Sequence, residues 1–407
     1  MSVLLAHPGT QHAFRLAREL DHRHLLGEFW TGLALREGGL AASLAVRGRR
    51  WPWLGGLASR IARGITPARL HNVPGNEIRA LVRMKTGADH LAVIHERNRV
   101  FQDAIPDKSI LRHSALVGFD TSSWRLAARA VQLGRPFFLD RTIAHPAVFM
   151  RLQDDLRPRY PEWFPPAQAR PDFLVQAESA EHRDARCILV GSSFARESLL
   201  QEGVPGGKIA VNPYGADWPR FGHDARQPAA VSARPLRFVF VGSIIGRKGL
   251  PVLFDAWRAV AAQRGDAELW LAGACGPDAR KLVPALPGVR LLGRVPHAEI
   301  PALLAETDVF VLPSLQEGFS LALLEAVAAG LGVIATPNTG AGDILIDPQL
   351  GRLVPAASVE ALAEALRLFL HQPPDRAAVI RAAAPLAQRF SWAAYGQRWQ
   401  DILAANT

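Results

Sequence analysis

Apolar and polar positions along this chain fall into short blocks with two alternating periods. Compact apolar runs at 2–6, 109–112, 137–140, 187–190, 208–211, 237–242, 268–272, 289–292, 308–312 and 333–336 predict buried strands. Segments at 10–25, 89–105, 122–133, 193–202, 249–263, 297–306, 359–370 and 392–403 repeat apolar residues at helical spacing. Strand followed by helix, many times over, predicts an α/β class with parallel sheets and crossover helices. The alternation breaks at 217–235, a stretch rich in Pro, Gly, Ala and charge that reads as a linker, and then resumes. Two such halves predict two doubly wound, Rossmann-like domains facing a central cleft.

Length and composition leave this picture standing. A chain of 407 residues has room for two or three domains, and its ordinary composition excludes disorder, low complexity and short solenoid repeats. No run approaches the roughly 20 apolar residues of a membrane span, and the run at 2–6 is too short for a secretory signal. The expectation is a soluble or peripheral protein of the cytoplasm. Cys187 and Cys275, far apart and both placed in strand-like surroundings, read as packed thiols rather than a disulfide or a metal pair.

Charge adds one local feature. The net charge is +10, and residues 38–76 contain no acid while holding Arg47, Arg49, Arg50, Arg60, Arg63 and Arg69 with Trp51 and Trp53. Arginine and tryptophan around Leu54, Leu57, Ile61 and Ile65 suggest a face for anionic lipid over the stretch 47–69. A solvated arginine-rich face is the plainer alternative. No nucleic-acid motif accompanies the charge, so nucleic acid is not the expected partner.

The chemistry concentrates in 313–336. Here the strand 308–312 runs through a loop into a helix carrying Leu321, Leu324, Val327 and Ala328, with Gly330 placed to stop it. Glu317 sits in the loop at the carboxyl end of the strand, where open α/β sheets bind ligands. The helix start at Gly318, Phe319, Ser320 and Leu321 predicts free N–H groups at the positive end of a dipole, a seat for a phosphate or diphosphate. Glu325 lies within the apolar helix, where an unpaired carboxylate is costly. Two acids flanking an anion seat suggest recognition of sugar hydroxyls. Singly, each acid has a plain structural reading: Glu317 complements the dipole, and Glu325 makes an ion pair.

A second loop, 241–249, also follows a strand and opens a helix. Gly242, Gly246 and Gly249 permit close backbone approach beside Ser243, while Arg247 and Lys248 can meet phosphate charge. It lacks the ending of a P-loop. Gly9, after the first strand, is either a tight turn or a place for a substrate phosphate. His145 and Asp120 follow strands of the first half and should face the cleft, His145 as a structural hydrogen-bonding residue or a reacting one. No Asp-x-Asp signature, His/Cys ligand cluster or Gly-x-Ser-x-Gly elbow is present, so no metal or cofactor is expected.

The spacing Glu317-x7-Glu325 within Pro-Ser-Leu-x-Glu-Gly-Phe, with the 241–249 loop, Asn212-Pro-Tyr-Gly-Ala-Asp217 and Leu292-Gly-Arg-Val-Pro296, resembles the retaining, nucleotide-sugar-dependent glycosyltransferases of family 4, which have the GT-B fold. The likeness is strong from about residue 185 to 392 and thin before it. It implies an acceptor domain over 1–215, a donor domain over 216–385 and a last helix, about 386–407, packing back on the first domain. It implies that Glu317 binds donor-sugar hydroxyls and Glu325 the ribose. Lys248 and the amides of Gly318 to Leu321 would neutralise the diphosphate, with the base near Arg294 and Val295 and His145 in the cleft. The family often has arginine where this chain has Ser243, so either Arg247 supplies that charge or the diphosphate is held less tightly, and Lys248 is the residue carried over. The implied activity is metal-independent sugar transfer to a glycan, lipid-linked or small acceptor, in cell-surface polysaccharide or glycolipid biosynthesis. A sugar-nucleotide epimerase, a phosphorylase and a non-catalytic sugar-nucleotide-binding subunit share the same motifs.

Overall fold

In the computed structural model, residues 1–10, 12–47, 57–58, 60–166, 170–222, 234–261 and 267–407 are described. Among the described residues, nine strands precede residue 212: β1 (Val3–His7), β2 (Leu26–Thr31), β3 (Leu35–Arg36), β4 (Ile61–Ala62), β5 (Leu70–Asn72), β6 (Ala115–Phe119), β7 (Phe137–Arg141), β8 (Cys187–Val190) and β9 (Ile209–Val211). Seven of them form one parallel sheet in the order β5-β2-β1-β6-β7-β8-β9, while β3 and β4 pair separately. Six more follow: β10 (Arg237–Val241), β11 (Glu268–Ala272), β12 (Val289–Gly293), β13 (Val309–Leu312), β14 (Gly332–Ala335) and β15 (Gly351–Leu353). They make a second parallel sheet, β12-β11-β10-β13-β14-β15.

Both orders reverse direction once, between β1 and β6 and between β10 and β13. At such a switch point neighbouring strands send their helices to opposite faces, which leaves a crevice at the carboxyl ends. Helices on both faces explain the composition of the central strands. Every residue of β1, β6, β7, β13 and β14 is buried, so β6, β13 and β14 read as unbroken apolar runs, while β1 and β7 end on the buried polar residues His7, Asp140 and Arg141.

The final helix, Trp392–Asn406, returns to the first sheet. Tyr395, Trp399 and Leu403 are buried, and a Cβ added to Gly396 would run into the side chains of Glu19, on the helix Ala13–His22, and of Arg23 just past its end. Arg398 ties the same helix to the Asn212 side chain at 2.8 Å and the Pro213 carbonyl at 2.6 Å. At the end of β7 the carboxylate of Asp140 accepts from Tyr395 at 2.8 Å and from Tyr214 at 3.4 Å.

Several expectations need correcting. Residues 109–112 belong to a helix, Asp107–Arg112, and the strand follows it as β6; Pro106 at the N-cap position starts the helix, which a four-residue apolar window cannot reveal. Cys275 lies past the end of β11, not within a strand. The 217–235 stretch begins with a helix, Trp218–Gly222, and its residues 223–233 lie outside the described residues. Of the 47–69 stretch, 48–56 and 59 also lie outside them. Of the described residues, Ile61 and Ile65 are buried, Arg60 donates to Glu77 at 2.8 Å and Arg69 pairs with Asp21, while Arg47 and Arg63 are exposed.

Candidate functional site: the cleft between the sheets

The two chemical loops of the second half meet because they follow β10 and β13, the strands that flank its switch point. The β10 loop passes through the half-buried Gly242 and the exposed Ser243 to a 3-10 turn at Gly246–Lys248, and closes at Gly249 with φ +73°. An added Cβ at Gly249 would sit 2.0 Å from the Pro313 carbonyl oxygen, so glycine lets the two loops touch. Leu315 N–H then donates to the Arg247 carbonyl at 2.8 Å, and the Arg247 guanidinium donates to the Gln316 carbonyl.

This interlock brings the charged side chains together. Lys248 Nζ lies 2.6 Å and Arg247 Nη1 3.3 Å from Glu317 Oε1. The side chains of Lys248 and Glu317 are only 15% and 14% exposed, so the pair is partly withdrawn from water and its mutual attraction is stronger than that of a surface pair. Beside it begins the helix Leu321–Ala328. Ser320 caps it, accepting from Leu323 N–H at 3.3 Å. The Ser320 N–H, expected to be free, donates to the Thr339 carbonyl at 3.0 Å. The N–H groups of Gly318, Phe319 and Leu321 have no acceptor among the described residues. Phe319's ring is buried against Tyr214 and Phe390, so this residue offers the site only its amide.

Glu325 projects from the same helix toward the loop after β12. Its Oε1 is 3.1 Å from Nε2 of His297, whose Nδ1 is 2.9 Å from Arg220 Nη1. Arginine only donates, so His297 Nδ1 is the acceptor and its Nε2–H points to Glu325. Arg294, exposed, and Val295, half-buried, lie on that same loop. Glu325 is therefore not an isolated buried charge; it stands at the helix surface with an oriented partner.

The first half contributes loops after β1, β6 and β7. Gly9 N–H is already committed, donating to Nδ1 of His7 at 3.0 Å. Burial holds the His7 imidazole down to about 4, which keeps it neutral. His145 caps the helix Pro146–Leu156, its Nδ1 accepting from Ala147 N–H at 3.3 Å. Burial, and then the nearby Arg141, lowers its pKa, so a neutral ring with Nε2–H faces outward from the cap. Asp120, whose carboxyl burial pushes up, braces the same loop by accepting from Thr142 N–H at 3.1 Å.

These two groups of loops abut. Ala144 N–H donates to the Glu317 carbonyl at 3.4 Å, and Ser192 Oγ donates to the Gly318 carbonyl at 2.5 Å. A Cβ on Gly318 would lie 2.0 Å from the Thr142 carbonyl oxygen, so this position permits no side chain while the loops touch. The structure thus gathers Glu317, Lys248, Arg247, Gly318, Phe319, Ser320 and Leu321 around one helix start, with Gly242 and Ser243 at the beginning of the same β10 loop as Lys248. Glu325, Arg294 and Val295 lie along its flank, His145 stands across the gap, and Gly9 belongs to the neighbouring β1 loop. Missed from the sequence were Gln316, hidden between two motif residues, and His297, which lies just past the Gly-Arg-Val-Pro run and carried no signal of its own.

Two doubly wound domains with a loop-lined cleft define a GT-B protein, and comparison with known proteins agrees. Residues 235–372 match the family Glycosyl transferases group 1. The chain is 28% identical to the putative colanic acid biosynthesis glycosyltransferase WcaL of Salmonella typhimurium, over 70% of this chain and 75% of that protein. It is 31% identical to the amylovoran biosynthesis glycosyltransferase AmsK of Erwinia amylovora, over 48% of this chain and 50% of that one. Solved structures of the same fold include sucrose-phosphate synthase from Thermosynechococcus elongatus, with TM-score 0.64, 18% identity and 100% of both chains covered. Anabaena HepE in complex with UDP superposes with TM-score 0.64 at 16% identity, again over 100% of both chains.

Proposed function

We propose that this chain is a retaining glycosyltransferase that moves a sugar from a nucleotide-sugar donor to a glycan or lipid-linked acceptor. One observation carries the reading: Lys248, Arg247 and Glu317 converge at a helix start whose Gly318, Phe319 and Leu321 amides lack acceptors among the described residues. In this reading the donor's diphosphate takes over Lys248 from Glu317 and docks on those amides. Glu317, released, accepts hydrogen bonds from hydroxyls of the donor sugar. Glu325, steered by His297, takes the ribose, and the base lies by Arg294 and Val295. Charge developing on the leaving phosphate meets fixed dipoles and Lys248, the kind of preorganised stabilisation that contributes several kcal/mol elsewhere. The acceptor enters beside His145, and the departing phosphate takes its proton on the same face of the sugar. The reading includes no protein nucleophile and no metal ion.

Relatives named for colanic acid, amylovoran and phosphatidyl-myo-inositol mannosyl transfer support a place in cell-surface polysaccharide or glycolipid synthesis. An acceptor on a lipid would bring the chain to a bilayer. No described helix is long and apolar enough to cross one, but the helix Pro74–Lys85 exposes Ile78, Leu81 and Val82 to solvent, with Arg79 and Arg83 on its flank and Leu91 on the adjoining helix. Exposed aliphatics rimmed by arginines suit the interface of an anionic membrane.

The test is a thermal-shift screen of nucleoside diphosphates and their sugars, followed by mass detection of product with lipid-linked and glycan acceptors. A stabilising nucleotide with no transfer to any acceptor, or no stabilising nucleotide, defeats the proposal. Flotation with phosphatidylglycerol vesicles at low salt addresses the membrane face; wild-type binding that survives Ile78→Ser with Val82→Ser removes that part.

A further inference from the structure

We infer that Gln316 is a positioning residue that clamps the His145 loop of the first domain onto the Glu317 loop of the second, and so sets the gap between acceptor and donor. The inference rests on the reading of the cleft given above and adds a residue to it.

Gln316 is 3% exposed, and its side-chain amide spends both N–H groups across the cleft. Nε2 donates to the Ala144 carbonyl at 3.0 Å and to the His145 carbonyl at 2.7 Å. The Ala144 carbonyl has no other donor among the described residues. From the opposite side, Ser198 Oγ accepts from the His145 N–H at 2.9 Å. The backbone on which the His145 imidazole stands is therefore gripped at both its N–H and its C=O.

The donor loop does not depend on this grip. Glu317 N–H donates to the Asn338 carbonyl at 2.9 Å, and Asn338 Nδ2 donates to the Leu315 carbonyl at 2.8 Å. Leu315 N–H bonds the Arg247 carbonyl, as above. All of these partners lie in the second domain. Removing the Gln316 amide thus leaves the loop around Glu317 in place, while a buried carbonyl of the first domain loses its donor. The side chain is chemically particular: leucine fills the space without donating, and a glutamate would aim a carboxylate at two carbonyl oxygens.

The test compares Gln316→Leu and Gln316→Glu with wild type. UDP and GDP are titrated calorimetrically, and transfer and donor hydrolysis are measured side by side. For whichever nucleotide wild type binds, both variants should keep Kd within about twofold, while transfer in Gln316→Leu falls at least tenfold and hydrolysis accounts for more of the turnover. Gln316→Glu should be slower still at neutral pH and regain rate toward acid, as its protonated carboxyl donates again; Gln316→Leu should show no such recovery. Independently of activity, spin labels at Val131→Cys and Glu364→Cys, in a Cys275→Ser background, should report a broader interdomain distance distribution in Gln316→Leu. Wild-type transfer and an unchanged distance distribution overturn the inference, as does a loss of nucleotide affinity equal to the loss of rate. If wild type binds neither nucleotide, the reading of the cleft fails, and the spin-label distances still decide the clamp.

Discussion

Glu317 and Lys248 form an ion pair, with 2.6 Å between them and both side chains mostly withdrawn from water. On the reading proposed above, a donor's diphosphate has to open that pair, so the carboxylate would compete with the ligand it helps to receive. From this follows an asymmetry between two truncations. Glu317→Ala should cost at least a hundredfold in transfer, because the sugar hydroxyls lose their acceptor, yet should leave affinity for the nucleoside diphosphate equal to wild type or tighter. Lys248→Ala should weaken that same affinity at least tenfold, about 1.4 kcal/mol. Calorimetric titration with UDP and GDP checks both; a Glu317→Ala protein that binds the nucleotide more weakly would contradict the competition. Neither acid is idle in the structure, Glu325 being oriented by His297. Both partners of Glu317, Lys248 and Arg247, come from the other chemical loop.

At the level of elements, tight backbone contact explains the glycines. Gly249 has φ +73° and lies flush with the Pro313 carbonyl, so it meets both a strained conformation and a clash if it gains a side chain. Gly249→Ala should destabilise the second half by about 3 kcal/mol, seen as a fall in urea midpoint with m unchanged. An unaltered midpoint would mean that the loops do not interlock as described. Such elements were legible in the sequence to different degrees. β10, β13 and β14 announce themselves because burial on both faces makes them solidly apolar, and Gly330, foreseen as a stop, ends its helix at φ +78°. β2 was not foreseen: Gly27 and Glu28 interrupt its apolar run. Glu28 is buried there, and is satisfied by Trp30 Nε1 at 2.7 Å and Arg112 at 2.8 Å, a tertiary arrangement no local window contains. The donor loops could be read because their residues are contiguous. The cross-cleft bonds of Gln316 and the Asp140–Tyr395 contact join residues more than 170 and 250 positions apart, and nothing in local spacing encodes them.

For the whole molecule, buried titratable groups in the first half set how stability responds to pH. Burial holds His7 and His182 down to about 4 and lifts Glu181 to about 8. The signs oppose each other. Unfolding frees each histidine to take a proton below its ordinary 6.5, whereas the folded state refuses one until about 4; stability therefore falls as pH drops through that window. Glu181 behaves in reverse. Its folded form keeps its proton up to about 8 while the unfolded chain releases it near 4.5, so its contribution is complete below 4.5 and is lost as pH rises toward 8. Each group weighs about 1.4 kcal/mol per pH unit within its window. Among these three groups the two histidines outweigh the glutamate between 4.5 and 6.5, and above 6.5 only the glutamate still titrates; the lowered His95, His113 and His145 add to the acid limb, and the raised Asp120 acts with Glu181. Thermal unfolding across pH 4 to 9 should accordingly show greatest stability near pH 6.5, steeper on the acid side. Glu181 accepts from the Thr121 and Ser123 amides at 2.8 and 2.7 Å; Glu181→Gln cannot ionise and keeps one of those two acceptors, so it should lower stability at every pH while flattening the alkaline limb and leaving the shape of the acid limb intact. A variant whose alkaline limb matched wild type would show that Glu181 is ionised in the folded protein, with the two amides and Arg141 outweighing its burial.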